Sequence, residues 1–281
     1  MYYTIVCTAA LLFALQFMFS EGYQKESGSS MASASKYSIY SSAFGFVILL
    51  VINGFKFQIS LFSFAVAIVY GALSVLMNYS TVKVFESGNL SLYSVFSMIG
   101  GMIIPFLYGV AYGEKMTFMK VLCCLLITLS LIMTISKSET SKKALKHSII
   151  VFIVNGVICL LSKIHPSYPA ICVDSGSFVM LTRLTTLFFS SVLLLFAQNG
   201  DIGINLKSCA YCIGGAAFNG IGNLLLVIGF TYLPASVQAP MVTGGVIVFA
   251  TLIDVLRKIK ISKKSIVATI VACAATVLMA F

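Results

Sequence analysis

Few side chains in this chain could do chemistry, and the most conspicuous sit where charge is costly. Arg183 stands about two turns into an apolar run that begins near Ser175. Glu21 and Lys163 close two other apolar runs, as Ser20-Glu21 and Ser162-Lys163. Ionisable groups at membrane depth are expensive and tend to be functional. Arg183 could hold an anionic solute or one half of a gating pair; equally, its stem could carry the charge to a headgroup or pair it with a carboxylate such as Asp174. Glu21 and Lys163 fall at corresponding places in two halves of the chain, so they could share a cavity and bind a zwitterion or exchange a proton. Ordinary charges at helix ends would look the same. Neutral candidates are Asn78, Tyr79, Ser94, Ser97, Asn155, Asn219, Asn223, Gln238 and Thr243. An unpaired amide in hydrocarbon costs several kcal/mol, so these groups must face protein, water or solute, and hydrogen bonds between helices serve as well as a binding site.

Other chemistries lack their residues. The only histidines, His147 and His165, stand beside the ends of apolar blocks, and no HExxH, GxSxG or phosphate-loop lysine occurs. We expect no enzyme, no cofactor and no metal. Cys209-x-x-Cys212 has no second pair or neighbouring histidine, and most of the 8 cysteines lie inside apolar runs, where a thiol acts as a small hydrophobe. The net charge of +10 comes from short runs between apolar blocks, where topology-setting charges belong. No aromatic residues interleave with them, which argues against nucleic acid.

The elements that must position these residues are membrane spans. Of 281 residues 59% are hydrophobic and 9% charged, against about 25% charged in soluble domains; the mean hydropathy is +1.04. Gly, Pro, Ser and Lys clusters divide the chain into apolar helices over 2–20, 37–53, 60–82, 90–112, 118–136, 148–163, 175–197, 208–232, 235–256 and 265–281. The first lacks a positive leading segment and a small-residue cleavage site, so it reads as a span rather than a secretory signal. Residues 137–147 form a polar, basic linker between a first half, 1–136, and a second, 148–281.

The halves resemble one another. Gly100-Gly101 precedes Gly244-Gly245 by 144 residues, and the same offset pairs Gly71 with Gly215 and Glu114 with Lys258. Five spans per half would insert the second copy upside down. The expectation is an all-α membrane protein of about ten transmembrane helices in two inverted five-helix repeats, with a solute site near the midplane.

Residues 71–115 and 216–260 carry a family resemblance: a small-residue helix, a turn, a proline-containing helix (Pro105, Pro240), then Gly113-Glu114 before the fifth helix. This plan resembles the drug/metabolite transporter superfamily, in particular its ten-helix EamA-type members, as does Arg183 early in the seventh helix. The resemblance implies a multi-pass carrier of small metabolites or drugs, in an inner or plasma membrane. The chain departs from the plan at Arg257-Lys258, which replaces the second Gly-Glu. A channel, receptor or scaffold is the alternative, and a homodimer is compatible with either.

Gly100, Gly101, Gly244 and Gly245 fit close helix approach or hinges, and Pro105 and Pro240 each remove a helical hydrogen bond. Tyr70, Tyr93, Tyr108, Tyr112 and Tyr232 fit cavity walls or interface belts. Of the 18 Lys and Arg, 13 fall on the linker's side of the membrane and 4 on the other. The charge bias therefore puts the linker in the cytoplasm, whereas the resemblance suggests the reverse.

Overall fold

The computed structural model describes residues 2–28, 30–85, 90–134, 142–198, 202–259 and 261–279. Among them the chain forms α1 (Tyr2–Ser27), α2 (Met31–Ile52), α3 (Leu61–Phe85), α4 (Leu90–Ala111), α5 (Phe118–Met133), α6 (Lys142–Ile164), α7 (Ser175–Gln198), α8 (Leu206–Tyr232), α9 (Ala235–Leu256) and α10 (Lys263–Leu278), with no strand. All except α5 and α10 are long and apolar enough to cross a membrane. The architecture is that of a multi-pass helical membrane protein. At 16 residues each, α5 and α10 extend about 24 Å, less than the ~30 Å hydrocarbon core. They pack on one another, and Ser130 donates to the Ala268 carbonyl across that contact (2.6 Å).

Two stretches read as polar connections are partly helical. α1 continues past residue 20 to Ser27 because its last turns find charge partners. Glu21 pairs with Lys25 one turn on and with Arg257 at 3.0 Å, and Glu26 pairs with Lys207 at 2.6 Å. Ser30 then caps α2, accepting from the Ser33 N–H at 3.1 Å. Likewise residues 142–147 of the expected linker form the start of α6, while 137–141 lie outside the described residues. Water-facing helix ends tolerate polar sequence, so composition alone places a break too early.

α1 packs on α8 and α9, α6 on α3 and α4, α2 on α7 and α8, α7 on α3, and α4 on α9. Exchanging the first five helices for the last five turns α1·α8 into α6·α3, α1·α9 into α6·α4 and α2·α8 into α7·α3. Glycines make the closest crossings. A Cβ on Gly100 would run into the Phe152 carbonyl, and one on Gly156 would lie 2.7 Å from the Gly100 carbonyl, so α4 and α6 touch backbone to backbone. Gly101 faces Asn155 on α6, Gly244 faces Thr276 on α10 and Gly245 faces Ala10 on α1. Pro105 and Pro240 are both buried inside their helices.

Candidate functional site

A cavity of about 320 Å³ lies in the bundle, walled by all eight long helices and by neither α5 nor α10. It merges with an outer cavity of about 430 Å³ through shared walls that include Tyr37, Asn78, Tyr93 and Val246. The outer space is lined by Glu21, Asp254 and Arg257 and reaches the exposed Gly28. At the opposite end the walls stop at Ser162, Phe230 and Ala239.

Beyond those residues the bundle is tied shut. Lys163 donates to the carbonyls of Phe230 (3.2 Å) and Leu233 (3.5 Å) at the end of α8. The Glu114 carboxylate accepts the N–H groups of Ala235 (2.8 Å) and Ser236 (2.9 Å) at the start of α9. His165 is 1% exposed, stacks on Phe178 with ring centroids 3.7 Å apart, and shares a hydrogen bond with Ser63 (2.9 Å), which also accepts the Val173 N–H.

Arg183 is the cation of the inner cavity. It lies nine residues into α7, and its guanidinium donates to Asn219 Oδ1, which also accepts from Asn223 at 3.1 Å. Gly45 on α2 lies against the side chain: a Cβ there would sit 3.4 Å from Arg183 Cδ, an ordinary van der Waals contact. Arg183 Nε is buried without a partner, and among the described residues no carboxylate pairs with Arg183. Asp174 is engaged elsewhere. It caps α7 by accepting the Ser177 N–H (2.9 Å) and also accepts from Asn53 (3.3 Å). Burial pushes the Asp174 carboxyl upward, but these hydrogen bonds outweigh it and hold the group below the ordinary aspartate range.

Most of the neutral candidates meet here. Asn78 and Ser190 both donate to Ser38 Oγ (3.1 and 2.9 Å), tying α3 and α7 to α2. Asn155 donates to the Ser97 carbonyl (2.7 Å), joining α6 to α4. Both asparagines, with Ser97, Asn219, Asn223 and Thr243, line the inner cavity; Ser94 and Glu21 line the outer one.

Three candidates stand elsewhere. Tyr79 is 41% exposed and packs edge-on against His147, since it shares a helix with Asn78 but not a face. Gln238 is fully buried and donates to the Leu226 carbonyl (2.7 Å), holding α9 to α8. Lys163 belongs to the closed end. A cavity shared by Glu21 and Lys163 is therefore corrected: Glu21 bonds Arg257 just past α9, whereas Lys163 bonds Leu233 just before it. The 22 residues of α9 separate the two charges by about 33 Å.

Several lining residues escaped the sequence reading. Ser38, Ser41 and Ser42 bring hydroxyls from α2, and Tyr37 joins Tyr70 and Tyr93 in the walls. The signal was present: serines at 33, 35, 38, 41 and 42 are an unusual density within one membrane span. Tyr108 and Tyr112 stack on each other, and Tyr232 on Tyr2, away from both cavities.

The fold and cavity thus define a polytopic helical membrane protein with an internal chamber, its mostly apolar wall set with one arginine and several amides and hydroxyls. No family model matches the chain, and no curated protein matches its sequence. A protein of known crystal structure matches over 100% of this chain and 98% of its own length, with a TM-score of 0.78 at 12% identity. So distant a likeness speaks for the fold alone.

Proposed function

We propose that this chain is a secondary transporter that moves a small solute across a membrane by alternating access between two inverted five-helix halves. The observation that carries the reading is the chamber itself: both halves contribute walls, one end is open and the other is tied shut. A channel needs a path through both ends. The packing supports duplication, because the contacts α1·α8, α1·α9 and α2·α8 have their counterparts in α6·α3, α6·α4 and α7·α3 on exchange of the halves, and Gly101 and Gly245 meet α6 and α1, the partners that such an exchange relates. On this reading α5 and α10 complete ten crossings as a buttress outside the transport path. The drug/metabolite transporter resemblance agrees with it. The cation bias supports a cytoplasmic linker, which makes the open end the cytoplasmic one.

Counterflow in proteoliposomes tests the function. Preloading with unlabelled solute should drive transient, saturable accumulation of labelled solute, which a channel does not produce. Absence of counterflow across amino acids, organic anions, organic cations and neutral amides would reject transport.

A further inference from the structure

Resting on the transporter reading, we propose that the inner cavity binds a small organic monocarboxylate, its carboxylate on Arg183 and its uncharged body against the apolar wall. Arg183 carries an uncompensated charge. A guanidinium removed from water is costly unless an anion or several hydrogen bonds replace its hydration. Arg183 has one side-chain acceptor, Asn219, and a buried Nε with no partner.

The described carboxylates do not answer that charge. Glu21 and Glu26 pair with lysines and Arg257 near the open end, Glu114 holds the start of α9, and Asp174 caps α7. Asp254 stands in the outer cavity, beside Arg257. The inner chamber therefore carries a net positive charge that an incoming anion would neutralise.

The geometry limits the anion. Asn219 holds the guanidinium from one direction, so the group is held in place before the solute arrives. One cation without a second beside it suits a single negative charge, and guanidinium matches carboxylate with paired hydrogen bonds. Tyr70 and Ser42 bring hydroxyls to the same space that can donate to carboxylate oxygens, while the Tyr37 hydroxyl beside them shares a hydrogen bond with Ser20 (2.7 Å). Phe13, Phe17 and Met98 supply an apolar wall, and among the described residues no carboxylate lines the inner space to hold an amine. About 320 Å³ is at the small end of ligand sites.

The test is equilibrium binding to the purified full-length protein, read by thermal shift and by radioligand competition. Probes are benzoate, phenylacetate, isovalerate and pyruvate, each against its own amide, with benzylammonium as the cation. At least one carboxylate should bind about tenfold or more tightly than its amide. Arg183→Met should erase that preference, and Arg183→Lys should retain part of it, which controls for misfolding of the first variant. Equal binding of acid and amide, preference for benzylammonium, binding by none of the acids, or an undiminished preference in Arg183→Met overturns the proposal. Counterflow of any solute alongside such a result would leave the transporter reading standing, whereas carboxylate binding without counterflow of any solute would overturn that reading alone.

Discussion

Glu114 and Lys163 grip the turn between α8 and α9 from its two sides. The lysine meets the carbonyls that end α8, and the carboxylate meets the N–H groups that begin α9. Each charge is of the sign its helix end attracts. Gly109 makes the arrangement sterically possible, because a Cβ there would collide with the Glu114 carboxylate. We expect Glu114→Gln to cost about 1–2 kcal/mol and to lower the melting midpoint in detergent by about 2–6 °C. A double-mutant cycle with Lys163→Met should show coupling through the shared turn. An unchanged midpoint in Glu114→Gln would remove the clamp from the account of the closed end.

Two glycine-to-alanine changes, one at the α4–α6 crossing and one where α8 meets α2, should have sharply different outcomes. At Gly100 the new methyl meets the Phe152 backbone, which cannot rotate aside. At Gly220 the nearest atom is Leu49 Cγ at 3.6 Å, an ordinary contact. Gly100→Ala should therefore destabilise by about 1–3 kcal/mol through overpacking and reduce the yield of monodisperse protein. Gly220→Ala should leave both within error. Size-exclusion profiles and melting midpoints measured together decide it, and equal behaviour of the two variants would mean that α4 and α6 do not touch as described.

Asp174 makes a prediction about pH. Folding lowers this carboxyl's pKa, so the folded chain binds the proton less readily than the unfolded one. The stabilisation is complete above the ordinary aspartate range near pH 4 and is lost as pH falls through the lower folded value. Asp174→Asn keeps a capping oxygen but removes the charge; it should cost about 0.5–1 kcal/mol at pH 7, given the site's exposure. The gap between wild type and variant in melting midpoint should narrow steadily from pH 6 to pH 3. A gap that stays constant would show that the carboxylate charge contributes nothing there.

The membrane class and the helix order were legible because hydrocarbon forces long apolar blocks, and Gly, Pro and Lys clusters mark their ends. Arg183 was legible for a related reason: a lone cation in such a block is conspicuous. What the sequence could not supply was which face of each helix turns inward. Asn78 and Tyr79 are neighbours, yet one lines the chamber and the other faces outward. Gln238 looks like a ligand group until the Leu226 carbonyl is found beside it. Charge pairs that run between distant segments, as from Glu21 to Arg257, extend a helix without leaving a local pattern.

A ladder of single cysteines tests which end of the chamber is open. In a background with the native thiols replaced, Cys159 among them because it lines the inner cavity, cysteines would be placed at 94, 97 and 236. Ser94 is exposed and lines the outer cavity, Ser97 is 8% exposed and lines the inner one, and Ser236 is fully buried at the tied end beside Glu114. A membrane-impermeant maleimide should modify Ser94→Cys fastest, Ser97→Cys more slowly, and Ser236→Cys at least about tenfold more slowly than Ser94→Cys, because an opening of more than 1.4 kcal/mol must precede reaction there. In sealed right-side-out and inside-out vesicles, labelling at 94 should occur from the linker's side only. Fast labelling at 236 from the opposite side would reverse the polarity of the resting state, and equal labelling from both sides would make the chamber a continuous pore.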